Sequence, residues 1–150
     1  MEHGSIEREF TVEASPEVVF DVLSNPAHIK EWWGADAVLE PVSGTPGELA
    51  WDDRAQVTAL TVVEADPPRT FAFRWVYDEG VVPGVGNSFL VTFTLRPSAA
   101  GTVVRLVETG FRERGWAAAV VQAHHDEHVT GWDQHLATLR GYLAQLVAAR

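Results

Sequence analysis

Between Val121 and Leu146 the chain repeats apolar residues at helical spacing. Stepped at about 100° per residue, Val121, Val129, Trp132, Leu136, Leu139, Leu143 and Leu146 fall on one face, with Asp126, Thr130, Asp133 and Arg140 opposite. Gly131 is the weak point of this helix. A long helix with one apolar stripe has to bury that stripe against another layer, and the rest of the chain must supply it.

The preceding residues read as strands. Ile6–Ala14 alternates apolar and polar positions. Six further strands are expected at Ala37–Val42, Gly47–Trp51, Gln56–Ala65, Arg69–Tyr77, Asn87–Arg96 and Thr102–Thr109. The turn signals between them, such as Asp66-Pro67-Pro68, leave only short connections, which argues for an antiparallel meander. Two short helices interrupt the order after the first strand. Ser15-Pro16-Glu17 starts one with an N-cap serine, a first-turn proline and an acid at the positive dipole end. Asn25-Pro26 ends it, and a second helix runs from Pro26 to Trp33 and stops at Gly34. The expected fold is α+β: a seven-stranded antiparallel curved sheet gripping the long C-terminal helix, in one domain over residues 1–150.

The charge balance narrows the partners. A formal net charge of -10 repels a phosphate backbone and disfavours an anionic membrane surface, so neither nucleic acid nor membrane insertion is expected. The chain has no cysteine, which removes disulfides, thiolate metal sites and thiol catalysis. Its first residues lack a basic stretch followed by an apolar run, and a cytoplasmic location is expected.

Four stretches carry a family resemblance. They are Ala14–Pro26 (A-S-P-E-V-V-F-D-V-L-S-N-P), Glu31–Gly34 (E-W-W-G), Val62–Trp75 and Gly131–Leu139 (G-W-D-Q-H-L-A-T-L). In order and spacing they resemble the START-like (SRPBCC, helix-grip) superfamily, and more closely the bacterial homologues of the activator of the 90-kDa heat-shock-protein ATPase. The resemblance implies a cavity between the sheet and the long helix. It also implies a ligand among lipids, polyketides, hormones or other apolar small molecules, with some members acting as cyclases or hydrolases. The chaperone activators join such a domain to an N-terminal one that these residues lack, which makes a chaperone partner or a stress-response role the lesser expectation.

The aromatic residues are the best pocket candidates. Phe71, Phe73, Trp75 and Tyr77 share one face of their strand, and Phe89, Val91, Phe93 and Leu95 one face of the next. Each ring taken singly fits a packed core, but six tryptophans and seven phenylalanines exceed what a small core needs. Trp51 and Trp75 are the expected wall residues, and Phe73, Tyr77, Phe89, Phe93 and Trp132 join them as ligand-binding candidates. Trp32 and Trp33 are expected to pin the short helices. Among polar groups, His125 falls on the apolar stripe beside Trp132, with His124, His128 and His135 flanking it. His125 is either a partly buried histidine with a hydrogen-bond partner or a polar anchor and acid–base group in the cavity, where His128 also enters as a ligand candidate. Glu108 shares a face with Val104 and Leu106, but Val103 and Val107 fit the inward face equally well, so its exposure stays open.

His124, Glu127 and His128 also spell H-x-x-E-H, a zinc-peptidase pattern. A catalytic zinc needs a third protein ligand. The sole acid after His128 is Asp133, on the opposite helical face, so neither a metal nor a cofactor is expected. The expected function is binding of an apolar or aromatic small molecule. The alternatives are a polyketide-cyclase-like or hydrolase-like enzyme using His125 or Glu108, and a chaperone-associated interaction protein. The glycine-containing stretch from Asp78 to Asn87 carries Val81, Val82 and Val85, an apolar cluster suited to a homodimer contact or to a lid over the cavity. Sedimentation of a Val81→Asp, Val82→Asp variant separates the two: a contact between copies predicts a smaller coefficient, and an unchanged value leaves only the lid.

Overall fold

The computed structural model describes residues 4–76, 83–84, 86–113 and 115–149. Strand β1 is Ser5–Val12, followed by helices α1 (Pro16–Ser24) and α2 (Pro26–Trp33). Strands β2 (Asp36–Val38), β3 (Pro46–Trp51), β4 (Gln56–Asp66), β5 (Thr70–Trp75), β6 (Phe89–Ser98) and β7 (Gly101–Thr109) come next, and helix α3 (Ala118–Ala148) completes the order. All neighbouring strands pair antiparallel, in the order β1-β7-β6-β5-β4-β3-β2. β1 and β7 thus meet although they lie at opposite ends of the strand sequence, and α1 and α2 fill the crossing between β1 and β2.

Local chemistry explains the helix ends. Ser15 Oγ accepts from the Val18 N–H at 3.3 Å, and Pro16 takes the first turn, where no donor is needed. Asn25 Oδ1 accepts from Ala27 N–H at 3.0 Å and starts α2. Gly34 closes α2 at φ 76°, a left-handed conformation that glycine adopts at no steric cost. In place of the expected strand Ala37–Val42 stands the three-residue β2, which ends before Leu39; Pro41, with no N–H for a ladder, lies beyond it, and Val38 and Val42 are exposed. β5 ends at Trp75, and Tyr77, with most of the expected lid, lies outside the described residues.

One face of the sheet carries the core. Phe71, Phe73 and Trp75 of β5, and Phe89, Val91, Phe93 and Leu95 of β6, are all buried. On β7 the even positions Thr102, Val104, Leu106 and Glu108 are buried, which settles the face that periodicity left open. α3 lays Val121, His128, Trp132, Leu136, Leu139 and Leu143 over this face. α2 is tied to α1 by the indole of Trp32, whose N–H donates to Val22 O at 2.9 Å.

Leu139 and Leu143 are essentially inaccessible and hold the C-terminal half of α3 against the sheet. Leu139→Ala is expected to lower stability by about 2–5 kcal/mol through lost burial and a residual cavity. Exposed Gln134→Ala should stay within about 0.5 kcal/mol. Urea unfolding checks both, and equal midpoints for the two variants would contradict the packing described.

Candidate functional site

An open cleft of about 320 Å³ lies between the middle of α3, the end of α2, the β3–β4 turn and the end of β5. Four tryptophans line it: Trp33 from α2, Trp51 from β3, Trp75 from β5 and Trp132 from α3. Three of the rings touch, and Trp75 joins the wall through His128. Trp33 meets Trp132 at 5.3 Å between centroids and Trp51 edge-on at 6.1 Å. His135, His128, Gly131 and Glu127 complete the α3 side, and Asp52 and Gln56 stand at the turn.

Behind this wall is a buried carboxyl group. Glu108 is fully inaccessible at the β7 position paired with Ile6 on one side and Val91 on the other. Trp132 Nε1–H donates to its Oε1 at 2.9 Å, and Trp75 Nε1–H donates to its Oε2 at 3.0 Å. His128 Nδ1 lies 2.7 Å from Oε1. Indole nitrogens can only donate, so these contacts suit a carboxylate, which only accepts, with the proton of the third contact on His128 Nδ1. A buried charge is tolerated where it is paired and hydrogen-bonded, and Glu108 has three ring donors. The same bonds fix the orientation of three cleft residues: Trp75, His128 and Trp132. The His128 ring is further stacked on Trp75 at 5.3 Å and 20°.

His135 sits against Trp33 and Trp132, with centroids at 6.0 and 6.3 Å. Burial pushes its pKa below the ordinary histidine value, because the charged ring loses hydration without gaining an acid partner.

The sequence candidates divide into four groups. Trp51, Trp75, Trp132 and His128 line the cleft. Phe73, Phe89 and Phe93 do not: they are closed inside the core, where Phe73 backs Trp33 and Phe89 backs Trp75 and His128. His125 also lies away from the cleft. Its Nε2–H donates to Ser5 O at 2.8 Å, tying α3 to the start of β1, and Phe111 packs edge-on against it. Glu108 reaches the cleft only through the rings it holds.

Trp33 packs α2 against Phe73 of β5 and Trp132 of α3, in keeping with the expected pin, and also lines the cleft, which was not expected. Its ring stacks on that of Trp32 at 5.2 Å and 16°. His135, Glu127 and Gly131 were not singled out as wall residues; their spacing of four residues marks a second face of α3 beside the core stripe. Asp52 and Gln56 carried no signal beyond their position at a turn.

The H-x-x-E-H residues part company in the structure. His124 stacks on Trp116 at 4.2 Å, His128 turns to Glu108, and Glu127 faces the cleft. Asp133 is ion-paired with Arg8 at 2.8 Å. Among the described residues no group of three His, Cys, Asp or Glu side chains is placed to hold a metal ion.

Residues 13–144 match the family model described as Activator of Hsp90 ATPase homolog 1-like protein. The chain belongs to this START-like family. Solved structures share the fold. Protein MLL2253 from Mesorhizobium loti is 23% identical, with a TM-score of 0.78 over 94% of this chain and 97% of that one. The Aha1 dimer from Colwellia psychrerythraea is 21% identical, with a TM-score of 0.71 over 93% and 95%. DynU16, a putative protein in the dynemicin biosynthetic locus, is 19% identical, with a TM-score of 0.73; the match covers 94% of this chain but 47% of DynU16. No curated protein matches the chain. Among the described residues no helix is long and apolar enough to cross a membrane.

If Glu108 orients the wall, removing its second acceptor should be felt at once. Glu108→Gln keeps the shape but sets an amide N–H₂ against one ring N–H, which is expected to cost about 1–3 kcal/mol. Near-ultraviolet circular dichroism of the variant should lose tryptophan signal. An unchanged urea midpoint and an unchanged spectrum would show that the three contacts do not hold the wall.

Proposed function

We propose that the protein is a small-molecule binding domain and that its ligand is an apolar or aromatic compound held in the tryptophan-lined cleft. The observation that carries this reading is the cleft itself: about 320 Å³, open to solvent, with four indoles on its walls. Small-ligand sites have this size and this mixture of an apolar wall with a few placed polar groups. A tight core would have closed the space; instead Phe73, Phe89 and Phe93 are closed off behind it, and Trp33, Trp51, Trp75 and Trp132 reach its wall with one edge or face each while staying largely packed.

A second reading rests on the 2.7 Å contact between His128 and Glu108. A histidine oriented by a buried carboxylate at a cleft wall is the arrangement of a general base, which favours a cyclase-like or hydrolase-like enzyme over the chaperone-associated role. In that case His128 replaces His125 as the acid–base group. A homodimer is the assembly we favour, by analogy with the Colwellia protein, whose structure is that of a dimer.

Gly131 supplies a clean test. A Cβ added there meets nothing within 4 Å, so a larger side chain enters the cleft without disturbing the helix. Native mass spectrometry of the protein as purified is expected to show a bound small molecule, absent from Gly131→Leu, while Gly131→Leu melts no lower than wild type because glycine is a poor helix former. Equal ligand occupancy in both proteins would remove the cleft from the function. Turnover of the recovered molecule that is lost in His128→Asn would favour the enzyme.

A further inference from the structure

We infer that the ligand of this cleft carries a positive charge on its apolar body, as an aromatic or alkyl ammonium does, and is neither neutral nor anionic. The inference rests on the binding reading above and deepens it.

Three features of the wall point the same way. First, the lining is rich in the side chain that attracts cations most strongly: an indole face carries negative electrostatic potential, and recognition of ammonium groups by aromatic cages uses this attraction. Trp33, Trp51, Trp75 and Trp132 together surround one space. Second, Trp75 and Trp132 both donate their N–H to the carboxyl group of Glu108, at 3.0 and 2.9 Å. Donation to an acceptor of this kind pushes electron density into the indole, so both rings are more electron-rich than an isolated tryptophan, although His128 covers one face of Trp75. Third, among the described residues the lining contains acids and no lysine or arginine. Asp52 stands at the mouth, and among the described residues its carboxylate has no ion-pair partner. The nearest base in sequence, Arg54, is engaged by Glu48 at 2.7 Å. His135 supplies no positive charge near neutral pH, since burial favours its uncharged form. Among the described residues an anionic ligand would find no lysine or arginine in this wall, the His128 ring being already engaged by the Glu108 carboxyl group, and a neutral one would leave the wall's potential unused.

The test uses three bicyclic probes of nearly the same shape: 1-methylquinolinium (cation), 1-methylnaphthalene (neutral) and 1-naphthoate (anion). Affinities are measured by ligand-observed NMR on the intact protein, with Gly131→Leu as the blocked control. The cation is expected to bind roughly tenfold tighter than the neutral probe, the anion weakest. The margin between cation and neutral probe should shrink in Asp52→Asn, a variant whose asparagine tolerates the left-handed backbone at this position. Neutral or anionic probe binding as tightly as the cation, with binding still blocked by Gly131→Leu, would overturn the charge inference and leave the cleft a ligand site. Failure of all three probes to bind, or binding unaffected by Gly131→Leu, would overturn the binding reading itself.

Discussion

The carboxyl group of Glu108 is the contact on which the rest of the site depends. It sits on the inner face of β7, between Ile6 and Val91, where every other alternate residue is apolar or a threonine. A single charged side chain under a long helix would be costly if it were left alone. Here His128 and Trp132 reach it from α3, and Trp75 reaches it from β5. The three bonds therefore join the sheet to the helix through a buried polar contact, beside the His125–Ser5 and Asp133–Arg8 contacts that tie α3 to β1 nearer the surface. Apolar packing of Leu136, Leu139 and Leu143 holds α3 against the sheet, but it tolerates small rotations. A carboxylate with two oxygens and three fixed donors does not. It sets the rotation of α3 about its axis, and with that rotation it decides which α3 residues face the core and which face the cleft.

The same constraint explains how the molecule can keep a space open. α3 has two working faces. The stripe Val121, Trp132, Leu136, Leu139 and Leu143 is closed onto the sheet, while Glu127, Gly131 and His135 turn toward solvent and the tryptophans. His128 and Trp132 belong to both faces, and they are the two α3 residues that Glu108 holds. Trp33 completes the opposite side, stacked on Trp32, whose indole N–H is anchored to Val22 O.

Much of this fold is legible in the sequence, because the strands of its inner face alternate cleanly. β5 and β6 place their aromatic rings on one side by period alone, and the caps at Ser15, Asn25 and Gly34 mark the short helices by their chemistry. The site is less legible. Val103 and Val107 compete with Val104 and Leu106 for the inward face of β7, so periodicity cannot choose, and only the inward register of β7 reveals that Glu108 is buried. His125 and His128 both lie near the apolar stripe on a helical wheel. Which of them meets the carboxylate depends on which strand lies beneath: His125 lies over Ser5 at the start of β1, and His128 lies over Glu108. That is a tertiary fact with no local signal. The β3–β4 turn, which brings Asp52 and Gln56 to the cleft, is equally invisible to hydrophobic pattern because both residues are exposed.

That turn has a cost of its own. Asp52, Asp53 and Arg54 all adopt positive φ, at 52°, 52° and 70°, with no glycine among them. Residues held in this region store on the order of 1–3 kcal/mol each unless their side chains compensate, and aspartate does so better than most. The ion pair of Arg54 with Glu48 and the hydrogen bond from Ala55 N–H to Asp52 O at 3.0 Å help to hold the conformation. A glycine here would relax the backbone and loosen the one bank of the cleft that is not built on a helix or packed against one. The chain thus carries backbone strain in a three-residue corner that holds an acid at a fixed place beside Trp51.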